Sequence, residues 1–467
     1  MSRRQRPAEV ASPSLSAWHL LGFGVIALGL AVSSYATIDP DIYWHRILGQ
    51  LWLDQRSFDL TPDPIAYTAA FRSWFPTAWL PEVGYALLVD AFGYAGILGL
   101  RFVLATTFYL LLLRYLAAHC PAWLAALMLV VVGLPAALVL QDRPQTLSLV
   151  LCAALLPSLG RWYLHDATPR TRNAVLLTWV WANLHGLWVL VPCFLLLAAL
   201  SDLITRNPRW KRLATGAFLC LLVAALTPVG PRLLASPFLI SASAGQLREW
   251  QPTALRSPVA WGLALTLLIL LIGFARSPRV TVRQQLAAGV IVVFGFLAYR
   301  NAVVASVLLL PLSADLLSRQ LHSVRTTLTV PRAVILAVAG LALLWTAQVY
   351  AGQPAVPEHA PARIAEALRA YPSVRVLAPY NDSGYLREFG GDGVRLAIDG
   401  RADRYGDERI RDHLALMDAR GRWRRPFAAL DPDVVVVDRR SPLRELLLQD
   451  GWAVAVRDRD LVLLTMS

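Results

Sequence analysis

Residues 36–52 read ATIDPDIYWHRILGQLW and follow directly on an apolar run that begins near Ala17. Two aspartates, Asp39 and Asp41, and a histidine, His45, stand within seven positions of a membrane exit, interleaved with Tyr43 and Trp44. Ile42, Trp44, Ile47, Leu48, Leu51 and Trp52 recur at helical spacing. Trp and Tyr favour the depth where bilayer meets water, so the stretch predicts a helix lying in the interface. Asp39 is placed to cap it, with Pro40 in its first turn. Capping does not account for Asp41 and His45, which lie four residues apart and share a face.

The surrounding chain is built for a membrane. Of its 467 residues 56% are hydrophobic and only 16% are charged, where a soluble domain carries about 25% charged residues. Apolar runs recur through the first three quarters, each near the roughly 20 residues that span a bilayer. The first run lacks a small-residue cleavage site and reads as a retained helix, not a removed signal peptide. The net charge of +13 does not call for nucleic acid. The basic residues, all Arg apart from Lys211, sit mostly in short loops between apolar runs, as the positive-inside rule requires. The four cysteines, Cys120, Cys152, Cys193 and Cys220, fall in or beside apolar runs and form neither a disulfide framework nor a zinc pattern.

The Arg-dense loops 161–173, 205–212, 276–283 and 319–332 all fall on one side if about eleven segments cross. That predicts a cytoplasmic tail (1–16), an α-helical transmembrane bundle (17–350) with a first outer loop at 39–80, a Pro-rich linker (351–361) and an outer C-terminal domain (362–467). In that last region short β-branched runs such as VRVLAP, VRLAID and DVVVVD alternate with helical patterns, which argues for a small α/β domain. The expected location is the cell membrane, with the C-terminal domain on the same outer face as the DPDIYWH stretch.

Other chemistry-bearing residues fall on that face. The first outer loop adds Asp63, Trp74, Trp79 and Glu82. WANLHG (181–186) predicts a helix break carrying Asn183 and His185, residues that either satisfy freed backbone groups or touch a substrate. Arg143, Arg248 and Arg300 interrupt apolar sequence; each snorkels to headgroups or binds phosphate. Asp399, Arg401, Asp403 and Arg404 in AIDGRADRYG follow a strand and suit either a ligand loop or an ion-pair network docking this domain onto the membrane part.

Taken in order, DPDIYWH, DPIAYT, WLPE (79–82), DRPQTLSL (142–149), WANLHG, TPVG (227–230), REWQP (248–252), YRN (299–301), NDSGYL (381–386) and DGRADRYG (399–406) resemble a group of bacterial membrane proteins placed with the C-type, polyprenyl-phosphate-sugar-dependent glycosyltransferases. The resemblance covers most of the chain. It implies a multi-span bundle whose first outer loop carries an acidic motif and one or two interfacial helices over a cavity. Asp39 and Asp41 match the acidic motif; His45 and Glu82 match only by neighbourhood.

The implied activity moves a sugar from a polyprenyl-phosphate donor to a hydroxyl of a glycan, glycolipid or protein acceptor. Such chemistry needs a carboxylate to take the acceptor proton, expected of Asp39 or Asp41, and positive charge near the departing phosphate. His45, Glu82, Arg143, Asn183, His185, Arg248 and Arg300 are the expected substrate contacts. A divalent metal on Asp39 and Asp41 is left open, since some members of the superfamily use one. A transporter or flippase of a lipid-linked glycan and a non-catalytic scaffold of the same fold are the competing readings.

Overall fold

The computed structural model describes residues 15–35, 38–69, 74–168, 170–243, 245, 247–277, 279–320, 329–330, 332–352 and 360–466. The expected tail up to residue 14, residues 353–359 of the expected linker and residues 321–328 of the loop 319–332 lie outside the described residues.

A two-residue strand β1 (Leu15–Ser16) leads into α1 (Ala17–Tyr35). The first loop then forms α2 (Asp41–Gln55) and α3 (Trp79–Phe92). A membrane-type bundle follows: α4 (Tyr94–His119), α5 (Ala122–Met128) continuing through a π turn (Leu129–Gly133) into α6 (Leu134–Ala137), α7 (Pro144–His165), α8 (Thr171–Ala182), a 3₁₀ turn (Gly186–Val189) opening α9 (Leu190–Ile204), and α10 (Trp210–Ala225). After α11 (Ser236–Ser243) come α12 (Pro258–Arg276), α13 (Val282–Leu297), α14 (Asn301–Gln320), β2 (Thr329–Val330) and α15 (Arg332–Ala351). β1 pairs antiparallel with β2.

Helical segments occupy the places where eleven spans are expected. Among the described residues only five are long and apolar enough to cross: α4, α7, the unit Gly186–Ile204, α12 and Asn301–Arg319 of α14. The apolar stretches Trp18–Ser34, Ala122–Ala137 and Val282–Leu297 are shorter, and α8 and α10 have 12 and 16 residues. Eleven crossings are therefore not established. Counting apolar stretches gives half-length helices the same weight as full spans.

Local signals explain the main boundaries. Pro144 and Pro258 stand at the first turns of α7 and α12, and the Ser257 hydroxyl caps the latter. Thr281 and Gln284 form a capping box on α13. At the predicted break after α8, Asn183 returns its side-chain amide to the Trp179 carbonyl at 2.7 Å. His185 Nδ1 accepts the Leu187 N–H at 3.3 Å. Both residues thus satisfy backbone groups that the interrupted helix frees.

The C-terminal region adds α16 (Ala362–Leu368), β3 (Val374–Leu377), α17 (Ser383–Gly390), β4 (Val394–Leu396), α18 (Ala402–Tyr405), α19 (Asp407–Met417), α20 (Arg424–Leu430), β5 (Val434–Asp438), α21 (Pro442–Gln449), β6 (Trp452–Asp458) and β7 (Leu461–Met466). The sheet order is β4-β3-β5-β7-β6, with β3 parallel to both β4 and β5 and the other pairs antiparallel. Alternate residues enter two cores. Val374, Val376, Val434 and Val436 face a cluster that also holds α2 and α3 residues. Leu377, Val435 and Val437 face Trp423, Leu443 and Leu447.

That shared cluster decides where α2 lies. Ile42, Tyr43, Ile47, Leu48 and Trp52 are buried with Ile364, Leu368, Tyr385 and Leu386 of the C-terminal region. The apolar face that the sequence assigns to the membrane interface is covered by α3 and α17. Gly49 sets the α2–α3 approach: a β carbon there would overlap the Glu82 carbonyl. The first loop is also stitched to the sheet. Leu396 N–H donates to the Ile65 carbonyl at 2.7 Å and Tyr67 N–H donates to the Leu396 carbonyl at 3.1 Å, which covers the β4 edge.

Candidate active site

Asp39 stands just ahead of α2. Its Oδ1 accepts the backbone N–H of Asp41 at 3.0 Å, and its carbonyl accepts the Ile42 N–H at 3.0 Å. Pro40 holds the N-cap position, so the capping bond comes from Asp39, two positions ahead of the helix. Its Oδ2 accepts Nε–H of Arg143 at 2.6 Å, and the side chain is 5% exposed. Both oxygens are engaged. Asp41 also pairs with Arg143, through Nη2 at 3.1 Å, but its side chain is 23% exposed and lines a cavity. Burial pushes the Asp41 carboxyl up from the usual carboxylate range; Arg143 opposes this, and the Asp39 and Glu249 charges add to it.

Arg143, at the head of α7, is the hub. Besides the two aspartates it donates Nη1–H to Glu249 Oε2 at 2.5 Å. Burial works against its charge, and the three carboxylates outweigh burial. Glu249 sits in a short 3₁₀ turn, Arg248–Trp250, and its other oxygen accepts from Arg300 Nη1 at 3.3 Å. Burial would raise the Glu249 carboxyl, but Arg300 and Arg143 hold it below its ordinary value. Arg300 is anchored independently: Nη2 donates to Gln145 Oε1 at 2.9 Å, and the guanidinium lies over the Trp250 ring at 4.6 Å. Asp142 does not pair with its neighbour Arg143. It binds Arg101 at 3.1 Å in a fully buried pair and accepts the Asp39 N–H at 3.4 Å.

The helix break supplies a third side. Trp181 Nε1–H donates to Ser148 Oγ at 2.8 Å. Because Leu187 N–H donates to His185 Nδ1, that nitrogen is an acceptor, and the Ser148 hydroxyl turns its own hydrogen to it at 2.9 Å. With Leu187 N–H also on Nδ1, His185 carries its proton on Nε2. Burial, helped by the nearby Arg300 charge, lowers its pKa to about 3, so it is a neutral N–H donor.

The C-terminal region forms the remaining wall. Tyr380, Asn381 and residues 400–403 line the same cavity, and the Tyr380 hydroxyl donates to the Gly400 carbonyl at 3.0 Å. Gly400 must be a glycine: a β carbon would overlap the Trp44 indole and come within 2.9 Å of Asp41 Oδ1. Behind this wall lies a buried ion network. Asp63 of the first loop binds Arg401 at 3.0 Å and Arg404 at 2.6 Å, and Arg401 also binds Asp399 at 2.5 Å. This is the docking arrangement the mixed charges of 399–404 suit.

The cavity measures about 530 Å³. Of the residues singled out in the sequence, Asp41, His45, Arg143, His185, Arg300, Arg401 and Asp403 line it. Asp39 stands directly behind. Glu82 and Asn183 do not line it: Glu82 is buried, holding His45 Nδ1 at 3.2 Å and accepting Trp52 Nε1–H at 2.7 Å, while Asn183 accepts Trp79 Nε1–H at 2.9 Å. They position α2, α3 and the break. The Arg248 side chain lies outside the described residues. Glu249, Gln145, Trp250, Trp44 and Tyr380 were not anticipated. Glu249 had a signal: it is the only Asp or Glu between Asp202 and Asp315.

A divalent ion on Asp39 and Asp41 would have to enter where Arg143 sits, because these carboxylates and Glu249 face one guanidinium. No group of three or more His, Cys, Asp or Glu placed to hold a metal is present among the described residues. As arranged, the oxygens do not fit a metal.

With this geometry in place, one solved structure is informative. The oligosaccharyltransferase of Archaeoglobus fulgidus, tethered with an acceptor peptide containing the NVT sequon via a disulfide bond, is similar with a TM-score of 0.55 at 12% sequence identity, over 90% of this chain and 69% of that one. No protein-family model and no curated protein matches the sequence. The chain shares the fold of that oligosaccharyltransferase, and five helices among the described residues are long and apolar enough to cross a membrane.

Proposed function

We propose that the chain is a membrane glycosyltransferase that moves a sugar from a polyprenyl-phosphate donor to an acceptor hydroxyl on the outer face of the cell membrane. The observation that carries this reading is Asp41. It is a cavity-lining carboxylate whose pKa burial raises above the ordinary value, which suits a general base; Arg143 pairs with it and the neutral His185 lines the same cavity. Asp39, engaged at both oxygens, positions the turn and Arg143.

In the proposed step Asp41 takes the proton of the acceptor hydroxyl. The acceptor oxygen bonds to the anomeric carbon as the bond from that carbon to the phosphate oxygen breaks. The electron pair leaves with the polyprenyl phosphate. Arg300 and His185 Nε2–H meet the charge on the leaving group, and Asp41 then releases its proton to water. The acceptor is a glycan, a glycolipid or a peptide; the tethered acceptor peptide of the fold relative makes a peptide the first to try. Asp41→Asn should abolish transfer from a lipid-linked donor while leaving expression and folding intact. Full activity in that variant would remove the assigned base.

One observation favours a scaffold instead: Arg143 is held by three carboxylates at once. A scaffold would tolerate Asp41→Asn yet lose partner binding when the C-terminal region is removed. The proposed orientation is tested by a cysteine at exposed Arg420, in a chain whose four cysteines are replaced. It should react with a membrane-impermeant thiol reagent from outside; reaction only after permeabilisation would reverse the topology.

A further inference from the structure

Glu249 is placed as an anionic ligand would be. One carboxylate spans two guanidiniums, Arg143 Nη1 at 2.5 Å and Arg300 Nη1 at 3.3 Å, in the wall of a cavity large enough for a sugar phosphate. Its side chain is 29% exposed, the most open of the three carboxylates on Arg143.

Neither arginine depends on Glu249 for its position. Arg143 keeps Asp39 and Asp41. Arg300 keeps Gln145 and the Trp250 ring. Remove the Glu249 carboxylate, and two N–H groups remain fixed, aimed at one point, with no partner. Arg300 N–H holds the Glu249 carbonyl at 3.1 Å, so an exchange of anions asks for movement of the Glu249 side chain, away from both arginines and from the Trp250 side chain that also hydrogen-bonds it. A carboxylate and a phosphodiester each carry one negative charge and accept from arginine in the same paired fashion.

We infer that Glu249 is a built-in stand-in for the donor's phosphate, filling an anion subsite made by Arg143 and Arg300 and swinging out when a prenyl-linked phosphate enters. This deepens the transferase reading and rests on it. With either anion in place both arginines are paired, so neither the empty nor the occupied cavity holds uncompensated charge. It also sets the subsite's preference: an entering group must be anionic, since a neutral lipid has nothing to offer in place of the carboxylate.

The test is binding, not turnover. Full-length protein in nanodiscs of zwitterionic lipid is titrated with farnesyl phosphate at low salt. Glu249→Gln should bind about tenfold tighter than the unsubstituted chain, the worth of one charge-assisted hydrogen bond released to the ligand. Adding Arg300→Gln to that variant should erase the gain. Farnesol, which lacks the anion, should bind the unsubstituted chain and Glu249→Gln alike. Unchanged or weaker farnesyl phosphate binding in Glu249→Gln would overturn the inference, as would a gain that persists without Arg300 or extends to farnesol. No acceptor is present, so a chain inactive in transfer still gives an answer. A transferase whose Glu249→Gln variant fails to tighten loses the stand-in and keeps the reaction.

Discussion

Asp39 holds Asp41 in place: its Oδ1 accepts the Asp41 backbone N–H at 3.0 Å, two residues on. This short link divides the labour of the acidic pair. The residue that makes the turn is sealed behind Arg143, and the residue it orients faces the cavity. The two carboxylates should therefore respond differently to the same substitution. Asp41→Asn should cost about a hundredfold or more in kcat, the usual worth of a general base. Asp39→Asn keeps an oxygen for the turn and loses the charge on Arg143, a loss of roughly tenfold. Equal losses in steady-state kinetics would count against the division.

The pH profile carries a sign. Burial, then the Asp39 and Glu249 charges, raise the Asp41 pKa; Arg143 and His45 lower it. A base works ionised, so kcat/KM should fall on acidification through a limb above the ordinary carboxylate value of about 4. Glu249→Gln removes a raising charge and should move that limb to lower pH. Arg143→Gln removes the main lowering charge and should move it higher. A limb that ignores both belongs to another group.

The wall at Gly400 should be intolerant. Gly400→Ala drives a methyl group into Trp44 and toward Asp41. Activity should drop sharply while the protein still inserts and the C-terminal sheet stays folded by circular dichroism. Undiminished activity would mean that this wall is not pressed against α2 during turnover.

Asp63 tests how the C-terminal region is attached. It is fully buried between Arg401 and Arg404, and breaking a buried pair from one side costs about 3–5 kcal/mol. Asp63→Asn should lower the melting temperature and open residues 360–466 to protease. Asp399 belongs to the same network; burial acts to raise its carboxyl, and Arg401 holds it below its ordinary value. Its contribution is therefore present above the unfolded pKa of about 3.9 and is lost as pH falls through the lower folded value.

Since Arg143 occupies the point on which the carboxylates converge, a chelator should leave transfer unaffected in an activity assay. Inhibition reversed by added magnesium or manganese would mean that an ion displaces Arg143 from Asp39 and Asp41.

The elements were legible where chemistry is local. Helical periodicity gave α2, and WANLHG gave the break, because Asn183 and His185 are the groups that satisfy an interrupted backbone. β-branched runs gave the strands β3 to β5. What could not be read was distance. Glu82 and Asn183 carry the residue types of a site, yet neither lines the cavity: Glu82 is shared between His45 and Trp52, and Asn183 between Trp79 and the Trp179 carbonyl. Glu249 lies 106 residues from Arg143, and only packing brings them together. The burial of α2 was hidden for the same reason: its apolar face suits lipid and a second protein surface equally well.

The most direct test of the central claim follows sugar leaving a lipid donor. Purified protein in nanodiscs is given a panel of polyprenyl-phosphate sugars with candidate acceptors, and released polyprenyl phosphate is measured beside glycosylated acceptor. The account predicts that both products rise together with one donor and that Asp41→Asn, folded and able to bind that donor, makes neither. Turnover that survives Asp41→Asn would contradict it.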